Sequence, residues 1–326
     1  MVDHIPRCSF CKSPSIIQIP YSGHSFCSKH FLSMYRKRVR KYVAQNRLVK
    51  SGDRVGLALS GGKDSIAMTK VMHEIFGKRP NVKLVAVTID EGIRGYRSHS
   101  IKCAAAVCKR LGIEHHVFSF KEEFRVTLDE IARNKEALGE LTPCAFCGVL
   151  RRTLINRAAI RLKLTKLASG HNLDDEAQSI IMSLMRGNDE RLRRLGAKSG
   201  VASFPEVFVQ RIKPLRTTPE REDLLFIILE GFKKDYHECP YAKLAFRNEV
   251  RDLVNRIEDR HAGVKYNLLN SFDRMLLPVL KREWSGKAPK KCMKCGDPAS
   301  GELCQACVML DAIKKSKTKQ RCVKGK

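Results

Sequence analysis

The apolar run Val55-Gly56-Leu57-Ala58-Leu59 stops on Ser60-Gly61-Gly62-Lys63-Asp64-Ser65. A run this short, closed by glycines, reads as a buried strand, and residues 64–76 follow it with helical spacing. This unit constrains the fold more than any other feature of the chain. It places a strand end, a tight turn and a helix N-terminus within a few residues, and the alternation then repeats. Further strands are expected at 82–89, 115–120, 166–169 and 207–212, with helices over 97–111, 122–138, 148–164 and 173–186. Alternation of this kind predicts an α/β fold, a parallel sheet with helices on both faces. Other helices are expected over 31–49, 219–231, 241–258 and 267–280.

The turn itself carries chemistry. In open parallel sheets ligands bind beyond the carboxyl ends of the strands, where this loop must lie. Gly61 and Gly62 let the backbone approach an anion, and the amides of the following helix N-terminus supply positive potential. Lys63 adds a mobile charge, and Ser60 and Ser65 add hydroxyl donors. The pattern is not Gly-x-x-x-x-Gly-Lys-Ser/Thr, because Asp64 follows the lysine. A carboxylate there suits holding Mg²⁺ or fixing the loop. The plainer alternative is a strand-to-helix turn without a ligand.

The chain holds 13 cysteines. No stretch approaches the roughly 18–20 consecutive apolar residues that span a bilayer. Residues 1–7 lack the apolar region of a secretory signal, so a cytoplasmic location with no membrane is expected. In a reducing compartment closely spaced cysteines read as metal ligands or catalytic groups rather than disulfides. Cys8, Cys11, Cys27 and His30 form a tetrahedral zinc pattern, with His24 competing for the fourth place. Cys292, Cys295, Cys304 and Cys307 form a four-cysteine ribbon. Structural Zn²⁺ in each would fold segments too small to bury a core. The expected division is therefore a zinc module at 1–32, a catalytic domain at 33–285, a zinc ribbon at 286–310 and a basic tail at 311–326, mobile from Lys314 onward.

Between the modules, Pro143-Cys144-Ala145-Phe146-Cys147-Gly148 is a C-x-x-C at a helix start, and Cys239 stands before Pro240. The pair reads as a redox couple, half of a zinc site or cluster ligands. Cys103 and Cys108 fall on an expected helix and read as small core residues. Three thiolates on a 4Fe-4S cluster would leave one iron open to an external ligand, which suits a sulfur carrier. The rival is a persulfide on one cysteine resolved by another.

Charge points to the partner. With 62 Lys+Arg against 34 Asp+Glu the net charge is +28, and a polyanion, most commonly nucleic acid, answers such a balance. A generally basic surface is the plain alternative. The basic segment at residues 36–41 and the Lys-rich C-terminus are the candidate RNA contacts.

Ser60–Ser65 resembles the loop of the PP-loop ATP pyrophosphatases, which activate a carbonyl oxygen by adenylylation and release pyrophosphate. Gly170-His171-Asn172-Leu173-Asp174-Asp175-Glu176-Ala177 is a second match; in members that modify tRNA a similar stretch closes the nucleotide site. With the flanking modules, the C-x-x-C and the distant Cys-Pro, nearly the whole chain resembles the TtuA branch, the tRNA 2-thiouridine synthetases. The resemblance implies ATP and Mg²⁺ held by Ser60, Gly61, Gly62, Lys63, Asp64, Ser65, Gly170 and Asp175. Asp174 shares with Asp175 the candidacy for metal or ribose, and His171 is either a site residue or an ordinary exposed histidine. The resemblance further implies catalytic roles for Lys63, Asp64, Cys144 and Cys239, with Cys144, Cys147 and Cys239 on a 4Fe-4S cluster. It implies a tRNA substrate, sulfur from free sulfide or a ubiquitin-like thiocarboxylate carrier, and a homodimer. The alternatives are a PP-loop enzyme with another product, such as 2-thiocytidine or lysidine, and a zinc RNA-binding protein without activity.

Overall fold

A computed structural model describes residues 6–199, 207–232, 239–241, 246–282 and 290–324. A hairpin of β1 (Ile17–Ile19) and β2 (His24–Phe26) leads into α1 (Ser28–Gln45). Next come β3 (Arg54–Ala58), α2 (Lys63–Phe76), β4 (Lys83–Asp90), α3 (Arg97–Leu111) and β5 (Glu114–Ser119). Three short helices follow, α4 (Phe120–Phe124), α5 (Leu128–Arg133) and α6 (Lys135–Leu138), then α7 (Pro143–Arg161), β6 (Lys166–Ser169) and α8 (Leu173–Met185). After α9 (Asp189–Arg193), β7 (Lys198–Ser199) and β8 (Gln210–Ile212) come α10 (Glu220–Leu229), α11 (Arg247–Arg260) and α12 (Val264–Ser271). A π-helical turn (Phe272–Leu276) joins α12 to α13 (Leu277–Arg282). The chain closes with β9 (Lys290–Lys291), β10 (Pro298–Ala299) and α14 (Gln305–Lys324).

The main sheet runs in the order β5-β4-β3-β6-β8-β7, parallel except for the edge strand β7. Strand order reverses on either side of β3, so the crevice between β3 and β6 is the switch point where such sheets bind ligands. Each face of the sheet carries an apolar core. One is built on Phe31, Tyr35, Met68, Met72 and Phe226, and Ile19 and Phe26 of the first hairpin join it. Within it, Tyr35 stacks on Phe226 with ring centroids 4.3 Å apart. The other is built on Phe120, Phe146, Leu150 and Leu154 and takes in Cys292, Ala299 and Met309. The cysteine-bearing ends of the chain thus rest on opposite faces.

Several expectations change. The helix expected over 122–138 is broken into three. The side chains of Ser119, Thr127 and Asn134 accept from the N–H groups of Glu122, Glu130 and Ala137, each starting a new helix, and Arg125 breaks the first with φ 59°. The helix expected from residue 148 starts at Pro143, because proline suits a first helical position. The expected mobile tail is helix α14 as far as Lys324. Ala306, Met309 and Ile313 give it a buried stripe, and Ser316 donates to Asn134 Oδ1 at 2.7 Å. Strand β7 was not expected; two residues carry too little pattern. The helix expected from Tyr241 begins at Arg247, residues 242–245 lying outside those described.

Candidate functional site

At the end of β3 the chain turns through Ser60, Gly61 and Gly62 into α2, whose N-terminus faces the crevice. Gly61 has φ +87°, and a Cβ there would lie 2.2 Å from the Ser100 carbonyl oxygen. Both facts require glycine. The loop is pinned by its own hydroxyls: Ser65 Oγ donates to the Gly62 carbonyl at 2.8 Å, and the Ser60 amide donates to Ser65 Oγ at 3.2 Å. Across the switch point, Gly170 packs so closely that a Cβ would stand 2.8 Å from the Asp64 carbonyl. The two sequence matches, more than a hundred residues apart, therefore meet.

Asp64 sits between them. Its Oδ1 accepts from Asn172 Nδ2 at 3.2 Å, and its Oδ2 lies 3.1 Å from Lys63 Nζ. Burial pushes the Asp64 carboxyl up to about 6, with Lys63 pulling against the rise and Asp175 adding to it. Burial works against the charge on Lys63, but Asp64 and Glu220 outweigh it and hold its pKa above the ordinary value. Asn172 also caps α8 through a reciprocal pair with Asp175. Of the two candidate aspartates, Asp174 is buried and accepts from Lys265 and from the Glu220 amide, which makes it a structural anchor. Asp175 is half-exposed and lies 3.5 Å from Arg247. His171 is exposed, its Nδ1 2.9 Å from Ser169 Oγ.

A cavity of about 420 Å³ opens beside Lys63, lined in part by Asp174, Glu220, Glu258, Asp259 and Lys265. Lys63 and Arg221 line it too, and two of its four carboxylates are already neutralised, Glu220 by Lys63 and Asp174 by Lys265.

Sequence reasoning missed the groups that join this loop to the cysteines. Arg97 donates from Nη1 to the Ser60 carbonyl at 3.1 Å, and its Nε lies 2.7 Å from the buried Glu91 carboxylate. Arg151 reaches the other oxygen of Glu91 at 3.7 Å. Glu91 directly follows β4, and a carboxylate at that strand end was the available signal. Arg151 stands one turn beyond Cys147 on α7.

Cys144 and Cys147 occupy the first turn of α7, on one face of it. Cys239 lies within electrostatic reach of both, and the Cys144 thiol donates to the Tyr241 carbonyl at 3.1 Å, tying the 239–241 segment to the helix. Burial pushes the Cys147 thiol up to about 12, against the pull of Arg151. These three are not among the sets whose donor atoms lie within 4.8 Å of one another. Thiolates on different irons of a cubane stand wider apart than thiolates around one ion, so three separated sulfurs fit a cluster better than a single zinc. Cys108 is buried in the first core and Cys103 is half-buried on the same helix.

The terminal sets are tight. Zn–S bonds of about 2.3 Å put tetrahedral ligand sulfurs about 3.8 Å apart. Cys11 and Cys27 Sγ are 3.8 Å apart, and Cys8 and Cys27 Sγ each lie 3.4 Å from His30 Nδ1. His24 is outside this set and packs edge-on to Phe10. Cys295 and Cys304 Sγ are 3.6 Å apart, and the Cys304 amide donates to Cys292 Sγ. That amide helps hold the Cys292 thiol down to about 6, so it ionises readily for a metal. In both sets the second pair begins a helix, α1 or α14. All of these cysteines are free thiols.

The basic segment of α1 differs from expectation. Arg36 is paired with Glu74 and Glu230, and Arg38 with Glu222, inside the contact with α2 and α10. Lys37, Arg40 and Lys41 are exposed.

A parallel sheet with this loop at its switch point defines a nucleotide-binding domain of the PP-loop class, and residues 32–252 match the PP-loop domain family. Residues 7–32 match the N-terminal LIM domain of 2-thiouridine synthetase TtuA. The tRNA 2-thiolation protein NcsA of Haloferax volcanii is 31% identical over 94% of this chain and 99% of its own length. Cytoplasmic tRNA 2-thiolation protein 1 of Bos taurus is 31% identical over 98% of this chain and 92% of its own. A solved structure of the U34-tRNA thiolase NcsA from Methanococcus maripaludis, with its 4Fe-4S cluster, superposes with a TM-score of 0.78 at 35% identity, covering 93% of this chain and 95% of that one. The chain belongs to the TtuA/NcsA family of PP-loop tRNA thiolation proteins. No helix among the described residues is long and apolar enough to cross a membrane.

Proposed function

We propose that this chain is an ATP-dependent tRNA sulfurtransferase that replaces O2 of a uridine with sulfur. The observation that supports the reading is the bridge Ser60–Arg97–Glu91–Arg151, which links the phosphate loop to the helix that carries Cys144 and Cys147.

The first half of the reaction joins the uridine O2 to the α-phosphorus of ATP and releases pyrophosphate. The amides of Gly61 and Gly62 and the Lys63 ammonium face the phosphates and stabilise the charge that builds there. Asp64, beside Asp175, holds Mg²⁺ against the same phosphates. Glu220 releases Lys63 to them. In the second half a sulfide bonds to C2 of the uridine, the C2–O bond breaks, and AMP leaves with the oxygen. Cys144, Cys147 and Cys239 hold a 4Fe-4S cluster, which when bound supplies an iron with an open position for sulfur. Around it, Arg151 stabilises thiolate charge. Sulfur comes as free sulfide or from a ubiquitin-like thiocarboxylate carrier. The target base must be turned out of the folded tRNA to reach the nucleotide. The terminal sets hold structural Zn²⁺, and the working form is a cytoplasmic homodimer.

The test is anaerobic purification with iron, sulfide and zinc analysis, followed by nucleoside analysis of tRNA incubated with ATP and sulfide. The expected product is 2-thiouridine, made only by iron-loaded protein. Thiolation by colourless, iron-free protein would sink the cluster and leave sulfide attacking C2 of the adenylylated uridine directly, with AMP as the leaving group. Modified cytidine in place of uridine would sink the substrate assignment.

A further inference from the structure

The strongest unused feature is a group of guanidiniums beside the cysteine end of the crevice. Arg151 and Arg152 stand on α7, Arg191 on α9 and Arg211 on β8. Arg211 Nη2 reaches the Arg152 carbonyl at 3.4 Å, so β8 delivers its charge onto α7. The Arg152 guanidinium folds back toward the turn that carries Cys147: a Cβ on Gly148 would lie 3.4 Å from its Nη1. Arg151, Arg152 and Arg191 are exposed and Arg211 is half-buried. Among the described residues, Arg152, Arg191 and Arg211 form no ion pair with a carboxylate, whereas Arg36, Arg38, Arg97, Arg157 and Arg216 all do.

Like charges crowded without counter-charges are held against their mutual repulsion. Loss of solvent, then the charges of Arg152 and Arg151, bring Arg211 down to about 10. Arg152 is lowered as well, by partial loss of solvent and then by the charges of Arg151 and Arg191, while the charges that act on Arg191 are those of Arg247 and Arg186. An arriving anion relieves that repulsion. Guanidinium forks suit phosphate, and several phosphates spaced along one strand suit several forks better than a single small anion does.

We infer that Arg152, Arg191 and Arg211 clamp the backbone phosphates of the RNA strand whose uridine enters the crevice. The inference rests on the thiolase reading above and adds where the substrate backbone lies. It moves the principal RNA contact away from α1, whose Arg36 and Arg38 are already paired, and onto the α7–α9–β8 side next to the cysteines.

The experiment measures binding of an unmodified tRNA transcript to the full, metal-loaded chain across a salt series. Each phosphate contact removed lowers the slope of log K against log salt by about 1. The triple change Arg152→Gln, Arg191→Gln and Arg211→Gln should lower it by about 2–3 and weaken binding on the order of 100-fold at 0.1 M salt. The matching triple Lys variant keeps the charges and should keep most of the slope. Arg191→Gln alone, on an exposed short helix, should lower the slope by about 1 with an unchanged melting temperature. It decides the matter if the triple Gln variant fails to fold. Wild-type protein that binds steeply, with Arg191→Gln and the triple variant showing the same slope, overturns the clamp alone. Wild-type protein that binds no tRNA removes the thiolase reading itself.

Discussion

Arg97 grips the Ser60 carbonyl at 3.1 Å while its Nε faces the Glu91 carboxylate at 2.7 Å, and both side chains are buried. One residue thus fixes the phosphate loop to the strand end that meets the cysteine helix. Removing one partner of a buried ion pair leaves the other charge uncompensated, at about 3–5 kcal/mol. Arg97→Gln should destabilise the chain by that order in denaturant unfolding. Adding Glu91→Gln should recover part of the loss. Purely additive effects in the double variant would show that the two act separately.

The glycines of the loop separate by geometry. Gly61→Ala forces a methyl to within 2.2 Å of the Ser100 carbonyl, and Gly170→Ala to within 2.8 Å of the Asp64 backbone. Both should abolish pyrophosphate release from ATP. Gly62→Ala meets only Ser60 Oγ at 3.5 Å, an ordinary contact, and its φ is −82°. It should keep measurable activity. Equal losses in all three would mean that backbone flexibility matters and close approach does not.

Asp64 gives the pH dependence. Its folded-state carboxyl lies near 6, above the ordinary 3.8, chiefly through burial. Below about pH 6 it is protonated and cannot hold a cation, so pyrophosphate release should rise with pH through that region. Mg²⁺ favours the ionised form, so the acid limb should shift to lower pH as Mg²⁺ is raised. A limb that ignores Mg²⁺ would remove Asp64 from the metal site.

Glu176 is buried at 1% exposure between Lys213 and Arg216. Burial opposes its charge, but the two cations win and its pKa lies below the ordinary 4.5. A depressed carboxylate contributes stability above its unfolded-state pKa and loses it as pH falls toward the folded one. Glu176→Gln should therefore cost about 3–5 kcal/mol at neutral pH and less below pH 4.5. The same loss at both pH values would assign it to packing.

The cysteines should divide by metal. Cys292→Ala should remove one equivalent of zinc and lower the melting temperature, since such modules draw folding energy from the metal. Cys239→Ala should abolish thiolation and iron binding while zinc and melting temperature hold. Retained thiolation in Cys239→Ala would return that cysteine to a structural role.

Much of this was legible along the chain because local patterns carried it. The strand ending at Leu59 with its two glycines announced the loop, and C-x2-C and C-x2-H spacings announced tight metal sets. Each depends on residues a turn or a knuckle apart. Caps were partly hidden: Ser119, Thr127 and Asn134 break a helix that apolar spacing alone makes continuous. The Lys-rich end read as a tail because charge masked the buried stripe of Ala306, Met309 and Ile313. What only tertiary structure decided is which distant charges meet. Arg36 and Arg38 look like RNA contacts in sequence, yet the packing of α1 against α2 and α10 gives them carboxylates. Arg152 and Arg211 look unremarkable, yet the fold lays β8 against α7 and leaves both with no such partner among the described residues. Coulomb energy depends on separation in space, and spacing along a chain does not encode it across elements.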